Sequence, residues 1–188
     1  MTANQNIKAI AIVGPESTGK SELSAALAGH YKTIWVKEFA REYLEGINRP
    51  YNYDDLLQIA KGQLKLEEEA KHKLVSSSPN SDFKTPPIFC DTNLTVIKVW
   101  SEFKYQQCDT WILNQIKTRK YFLHLLTDID LPWQDDPLRE HPQQRRELFN
   151  IYYDELINQE ADFEIVSGIN DERILNAIHI IDSRMKHF

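Results

Sequence analysis

The sequence predicts a three-layer α/β fold, in which a five-stranded parallel sheet is covered by helices on both faces. Short β-branched runs alternate with helical patterns along the chain, which is typical of such a sheet. The first run leads directly into a glycine-rich loop and then into a helix. A length of 188 residues suits one domain with a sizeable core, so we expect residues 1–188 to form a single domain.

The predicted strands are short apolar runs of the kind that is buried on both faces of a parallel sheet. The third of these strands ends in a carboxylate, Asp91. The five predicted strands are residues 7–13, 33–36, 88–92, 121–126 and 163–166.

Apolar residues at helical spacing predict the helices between these strands. The first helix begins at Lys20 and reaches Gly29, because glycine is a common helix stop signal. Further helices are predicted at residues 38–44, 54–74, 94–100, 148–156 and 174–181. Residues 67–69, all glutamate, are expected on a solvated helix face, and residues 76–87, rich in Ser, Pro and Asn, in a surface loop.

One long polar segment interrupts the alternation of strands and helices. Residues 127–142 contain three prolines, four aspartates and an arginine. Because long loops in compact domains are usually functional, we predict a lid here, extending to residue 146.

Composition excludes several classes of protein. The 28 acidic and 22 basic residues give a net charge of −6, so a nucleic-acid partner is not expected. No apolar run approaches the ~20 residues that cross a bilayer, so no membrane role is expected. The two cysteines have neither metal nor redox spacing, which favours a reducing compartment, and we expect the cytoplasm.

The loop between the first strand and the first helix carries the most specific motif. Gly14, Gly19, Lys20 and Ser21 match G-x-x-x-x-G-K-[ST], the phosphate-binding loop of P-loop proteins. Glycines let successive N–H groups face an anion at the helix N-terminus, and lysine adds a positive charge for the β and γ phosphates. The motif predicts ATP and Mg²⁺ as cofactors, with Ser21 on the metal. The nucleotide-binding residues predicted are Gly14, Glu16, Ser17, Thr18, Gly19, Lys20, Ser21 and Arg146.

Motifs that the sequence lacks disfavour some classes of P-loop protein. The sequence lacks an Asn-Lys-x-Asp or Thr-Lys-x-Asp run, which disfavours a switch GTPase. The chain ends soon after the fifth predicted strand, so we expect no helical second domain of the motor ATPase kind. A small-molecule kinase fits the size; a nucleotide-binding regulator without catalysis is the alternative.

Taken with the P-loop, three further segments resemble one family. They are residues 38–43, beginning Glu-Phe-Ala-Arg; residues 89–92, Phe-Cys-Asp-Thr; and residues 131–139, with arginines following at 145 and 146. Together they resemble the ribosylnicotinamide kinase domain of the bacterial NadR family, in order over nearly the whole chain. Pro137 departs from the glycine expected at its position and is expected to stiffen the lid.

The resemblance implies ATP-dependent phosphorylation of nicotinamide riboside at its 5′-hydroxyl, giving nicotinamide mononucleotide. Another nucleoside or nucleotide kinase of similar architecture is the alternative. The adenylyltransferase and helix-turn-helix portions of the full-length regulator have no counterpart in this sequence, so neither mononucleotide adenylylation nor operator binding is expected.

The predicted catalytic acids stand at strand ends. Glu38 and Asp91 follow two predicted strands, and ligands of parallel sheets bind at the carboxyl ends of the strands. Asp91 is a candidate for holding Mg²⁺ through its water ligands or for accepting the proton of the substrate hydroxyl. Glu38 is a candidate for binding ribose hydroxyls or for acting as the base. Either carboxylate could instead cap the following helix. Arg41 could orient Glu38 or reach a phosphate.

The lid supplies the remaining predicted site residues. Trp133 could stack on a cationic pyridinium ring, with Asp135 and Asp136 adding opposite charge. Arg139, Arg145 and Arg146 are candidates for clamping the γ-phosphoryl group as the lid closes, since guanidinium groups bind phosphate oxygens in pairs. The other tryptophans, Trp35, Trp100 and Trp111, are expected in the core or in groove walls, and His124 in the core.

Overall fold

The computed structural model describes residues 7–77 and 87–186, and these form one five-stranded parallel sheet with helices on both faces. The sheet order is β2-β3-β1-β4-β5. The predicted fold class is therefore confirmed. The strands are β1 (Ala9–Val13), β2 (Trp35–Val36), β3 (Ile88–Asp91), β4 (Leu123–Thr127) and β5 (Phe163–Val166). The helices are α1 (Lys20–His30), α2 (Phe39–Gly46), α3 (Tyr53–Ser77), α4 (Leu94–Tyr105), α5 (Thr110–Thr118), α6 (Arg145–Asn158) and α7 (Asn170–Lys186).

The central strand β1 supplies both faces of the core. Ile10 and Ile12 point to the face that α1 and α7 cover, with Leu23, Leu27 and Ile181 around them. Ala11 and Val13 point to the opposite face, against α4 and α6. Because successive strand residues alternate between faces, an uninterrupted apolar strand is the pattern that a sheet covered on both sides requires.

One helix was missing from the sequence prediction. In α5, the Asp109 side chain accepts the backbone N–H of Trp111 at 2.7 Å and so caps the first turn. Ile112 and Ile116, four residues apart, pack against the cluster formed by α2, α3 and α4. The cap and the i, i+4 apolar pair are the sequence signals for this helix.

Part of the predicted loop at residues 76–87 lies outside the described residues, which stop at 77 and resume at 87. Residues 76 and 77 belong to α3. Among the helices that the structure describes, none is both long enough and apolar enough to cross a membrane.

The prediction of a solvated face at residues 67–69 is wrong for Glu67. This side chain is 1% exposed, whereas Glu69 faces solvent. Glu67 shares the buried stripe of α3 with Ala70 and Leu74, three and seven residues on. The Tyr121 hydroxyl donates to its two carboxylate oxygens at 2.9 and 2.8 Å. Burial raises the pKa of Glu67 to about 7, although the Tyr121 hydrogen bond opposes the rise.

We predict that Glu67→Gln removes a pH-dependent loss of stability. The ordinary pKa is 4.5 and the folded value is about 7, so folding takes up a proton in this window. Below about pH 4.5 the protonated Glu67 carboxyl contributes on the order of 3 kcal/mol to the free energy of unfolding. This contribution is lost as the pH rises through about 7. Glutamine still accepts a hydrogen bond but does not ionise. Urea unfolding at pH 5 and pH 8 should therefore show a smaller decline for the variant than for the wild type.

Glu69→Gln is the matched control, because Glu69 is exposed on the same helix. It should keep the wild-type pH dependence. An equal decline in wild type and Glu67→Gln would contradict the proposed burial of an ionisable carboxyl.

Candidate active site

The loop from Gly14 to Ser21 joins β1 to α1 at the carboxyl edge of the sheet. Gly14 has a φ of 136° and Gly19 a φ of 73°, values that disfavour any side chain. A Cβ on Gly14 would lie 2.5 Å from the Thr127 hydroxyl oxygen, so β4 also excludes a side chain there. The loop then enters the N-terminus of α1, where free N–H groups and the helix dipole favour an anion.

The Lys20 ammonium lies folded back on this loop. Its Nζ donates to the carbonyl oxygens of Gly14 at 3.0 Å and Pro15 at 2.7 Å. Burial lowers the pKa of Lys20, and the nearby carboxylates, first among them Glu38 and Asp91, oppose this shift. The arrangement holds a positive charge inside the loop, where phosphates bind in P-loop proteins.

The two predicted acids lie beside Lys20. Burial raises the pKa of both Glu38 and Asp91, and the Lys20 charge lowers each of them in part. Glu38 immediately precedes α2 but makes no side-chain cap, and Asp91 ends β3. Asp91 is 1% exposed, and its Oδ1 has no hydrogen-bond partner among residues 7–77 and 87–186. A Ser21 hydrogen bond also lowers the pKa of Asp91, so the hydroxyl of the motif and this carboxylate are neighbours.

Residues 128–144, between β4 and α6, cross the phosphate-binding loop as irregular chain. The Glu16 carboxylate accepts the backbone N–H of Glu140 at 3.0 Å and of His141 at 2.9 Å. The Ser17 hydroxyl oxygen accepts the backbone N–H of Gln134 at 2.8 Å. Side chains at two variable positions of the phosphate-loop motif therefore fasten the predicted lid.

The three lid arginines occupy different environments. Arg145 donates to the carbonyl oxygens of Ser17 and Leu131, each at 2.9 Å. Arg139 donates to the Gln134 carbonyl oxygen at 2.6 Å and lines the cleft beside the loop. The Arg146 guanidinium lies 5.4 Å from the centre of the Phe149 ring, and this residue is not among those that line the cleft.

The predicted substrate residues are divided between the cleft and its rim. Arg41 lines the cleft and pairs with Asp136 at 2.9 Å. The Trp133 indole N–H donates to Asp135 Oδ1 at 2.8 Å. Trp133, Asp135 and Asp136 are not among the residues that line the cleft, so contact with a ligand there would require movement of the lid.

The cleft has a volume of about 360 Å³ and joins the phosphate-binding loop to an apolar wall. Glu38 and Arg41 lie at the junction of these two parts. Val96, Val99, Trp100 and Phe103 recur on one stripe of α4, and the sequence analysis expected packing for this helix and a place in the core or a groove wall for Trp100. The apolar wall consists of Ala40, Leu44, Val96, Val99, Trp100, Phe103, Leu138, Leu148 and Tyr152.

Sequence reasoning also missed a buried arginine in α7. Arg173 is 4% exposed and donates to the carbonyl oxygens of Thr18 at 2.6 Å and Gly168 at 2.8 Å. It also donates to the Asp128 carbonyl oxygen at 3.1 Å and pairs with the Asp130 carboxylate. This one side chain ties the phosphate loop to the start of the lid and to the turn after β5. No local pattern predicts such a role, because all of its partners except Gly168 are more than forty positions away.

The sequence matches the family described as "AAA domain" over residues 9–173, so the chain belongs to that family. The trifunctional NAD biosynthesis/regulator protein NadR of Escherichia coli is 26% identical to it over 95% of this chain. That alignment covers 43% of NadR, so the chain spans less than half the length of this relative.

Solved structures show the same fold. A crystal structure of NadR in complex with NR superposes with a TM-score of 0.77, at 22% identity, over 95% of this chain and 51% of that one. Thymidylate kinase from Ehrlichia chaffeensis superposes with a TM-score of 0.59, at 14% identity, over 94% of this chain and 97% of that one. The phosphate-binding loop and the family match together identify a nucleotide-binding domain.

We predict that Glu16→Ala loosens the lid. The change removes the acceptor for the N–H groups of Glu140 and His141, so the segment should open more often. Limited trypsin digestion should cleave after Arg139, Arg145 or Arg146 several-fold faster than in the wild type. Glu22→Ala is the control, since Glu22 has no described hydrogen bond to the lid, and it should leave the cleavage rate unchanged. Equal rates for Glu16→Ala and wild type would show that this carboxylate does not hold the lid.

Proposed function

We propose that the chain is an ATP-dependent kinase that phosphorylates nicotinamide riboside at its 5′-hydroxyl to give nicotinamide mononucleotide. The observation that carries the proposal is one cleft in which the phosphate-binding loop and the Glu38 carboxylate meet an apolar, partly aromatic wall, with the buried Asp91 carboxylate next to Ser21 of that loop. The similarity to NadR over 95% of the chain, and to a NadR structure in complex with NR, supports this choice of acceptor.

The phosphate-binding loop would hold the triphosphate of ATP. Lys20 would exchange the carbonyl oxygens of Gly14 and Pro15 for β- and γ-phosphate oxygens, which are stronger acceptors for an ammonium group. Arg139, beside Ser17 at the cleft surface, would contact the transferred phosphoryl group, and Arg145 would steady the loop and lid around it.

The residues around Ser21 fit a magnesium ion. Asp91 Oδ1 is buried without a described partner, and carboxylate and hydroxyl oxygens are the hard ligands that Mg²⁺ prefers. Ser21 and Asp91 would hold the ion, directly or through water. When bound, Mg²⁺ neutralises negative charge on the phosphates of ATP.

The charge of the cleft favours an acceptor without a phosphate group. Arg41 is already paired with Asp136, and Arg139 is the cation that would contact the transferred phosphoryl group. Glu38, Asp91 and Glu16 provide negative charge close to Lys20. A cationic nucleoside complements this charge, whereas a nucleotide acceptor would need a further cation. The apolar wall offers a surface for the base.

Phosphoryl transfer requires an acceptor hydroxyl that is oriented and able to lose its proton. The contact between Asp91 and Ser21 favours the metal role for Asp91, which leaves Glu38 to orient the hydroxyl and accept its proton. The raised pKa of Glu38 suits that role, because a more basic carboxylate accepts a proton more readily.

The test of the proposed function is product analysis with ATP, Mg²⁺ and a panel of acceptors. The panel comprises nicotinamide riboside, uridine, deoxyadenosine, thymidine, thymidine monophosphate and nicotinamide mononucleotide. Nicotinamide riboside should give nicotinamide mononucleotide with a kcat/KM at least about 10-fold above the others, and Lys20→Ala should abolish transfer. A preference for a nucleotide acceptor would instead identify a nucleotide kinase. ATP binding without transfer to any acceptor would indicate a regulator.

We further predict that Glu38→Gln and Asp91→Asn fail in different ways. Asp91→Asn should raise the magnesium concentration needed for half-maximal rate by about 10-fold or more, as expected for a changed metal ligand environment. Glu38→Gln should lower kcat by about 100-fold with little change in magnesium dependence. In the wild type, kcat should fall as the pH drops through the raised pKa of Glu38, since the protonated acid cannot accept a proton. Glu38→Gln should lack this acidic limb; identical magnesium and pH profiles for both variants would contradict the assignment.

A further inference from the structure

Tyr152 is a largely buried residue whose hydroxyl group makes no hydrogen bond to any described residue. The residue lies on α6, is 5% exposed, and packs in the core cluster with Val99 and Leu148. Residues 7–77 and 87–186 provide no hydrogen-bond partner for its hydroxyl. The hydroxyl groups of largely buried tyrosines usually have a partner, so one that lines a cleft and makes no hydrogen bond within the protein is a candidate for ligand contact.

The surroundings of Tyr152 place it on the cleft. It lines the same cavity as Lys20, Glu38 and Arg41. Burial and, to a smaller extent, the charges of Glu16 and Glu38 raise the pKa of Tyr152, so the hydroxyl keeps its proton and can donate a hydrogen bond. Neither carboxylate makes a described hydrogen bond with it, and Glu16 is already bound to the lid backbone.

The neighbouring side chains make the part of the cleft around Tyr152 apolar. Val96, Val99 and Phe103 of α4, and Leu148 of α6, surround it on the apolar wall. The phosphate-binding loop binds phosphates through the Lys20 ammonium group and backbone N–H groups. The apolar wall instead offers contact to a base ring or a sugar. A single neutral donor within an apolar wall is the usual way in which a small-molecule site fixes the orientation of its ligand.

We propose that Tyr152 is a residue of the acceptor site, and that its hydroxyl donates a hydrogen bond to an oxygen atom of the nucleoside that receives the phosphoryl group. This inference rests on the proposed kinase function and identifies a further residue of the same cleft. The hydrogen bond orients the nucleoside so that its 5′-hydroxyl faces Glu38 and the phosphate-binding loop. The helical spacing of Leu148, Tyr152 and Leu156 suggests packing alone, which is why the sequence pattern does not reveal the contact.

The experiment compares Tyr152→Phe with Tyr153→Phe. The first change removes only the hydroxyl and keeps the ring that packs in the core. The second makes the same change at the next position, where the residue is 38% exposed and its ring meets the Phe163 ring edge to face. Nucleoside affinity is measured by calorimetry in the presence of Mg²⁺ and AMP-PNP, for whichever nucleoside of the panel the wild type binds most tightly. AMP-PNP affinity and thermal midpoint are measured in parallel.

Tyr152→Phe should weaken nucleoside binding by about 10-fold, as expected for one buried hydrogen bond. AMP-PNP affinity should stay within about 2-fold and the thermal midpoint should not fall. Tyr153→Phe should match the wild type in every measurement. Unchanged nucleoside affinity in Tyr152→Phe would overturn the proposal, as would an equal loss of nucleoside and AMP-PNP binding with a lower midpoint.

The binding assay also separates this proposal from the proposed function. If the wild type binds a nucleoside but transfers no phosphate to it, the proposed function fails, and the contrast between Tyr152→Phe and Tyr153→Phe still decides the role of Tyr152. If the wild type binds none of the nucleosides, both proposals fail.

Discussion

The site depends on the interaction of the Lys20 ammonium group with the carboxylates around it. Removing a charge from water is costly, and burial lowers the pKa of this group. Glu38, Asp91 and Glu16 offset that cost from three different elements. Glu16 belongs to the same loop as Lys20, whereas Glu38 and Asp91 approach it because parallel strands present their carboxyl ends at one edge of the sheet. The fold thus brings two carboxylates that are distant in sequence next to this lysine.

The lid depends on the same loop. The phosphate-loop motif leaves four positions variable, and the side chains of Glu16 and Ser17 hold residues 134, 140 and 141. Arg173 fixes the loop from the other side, through the Thr18 carbonyl oxygen, and reaches the start of the lid at Asp128. Movement of the lid is therefore coupled to the loop by direct hydrogen bonds and does not require a change in the sheet.

The sequence predicted the features that depend on local pattern or on sheet topology. The strands, the phosphate-binding loop and the positions of Glu38 and Asp91 belong to this group, because a strand end is visible in sequence and topology brings such ends together. Glu67, Arg173 and Tyr152 could not be assigned in this way. Glu67 is bound by Tyr121, 54 positions away, and Arg173 binds Thr18, 155 positions away. The Glu16 charge that acts on Tyr152 lies 136 positions away, and no local periodicity encodes such distances.

The positions of the arginines bear on how the proposed kinase would accommodate ATP. A triphosphate adds negative charge to a site where three carboxylates already act on Lys20, so its binding requires nearby cations. Arg139 and Arg145 lie next to Ser17, and both donate to carbonyl oxygens. Phosphate oxygens are stronger acceptors than carbonyl oxygens, so Arg139, which lines the cleft, would exchange its carbonyl partner for a phosphate oxygen, while Arg145 would keep its two carbonyl partners. Carbonyl oxygens therefore keep the guanidinium groups oriented before the nucleotide arrives, which reduces the entropy lost when the phosphates bind.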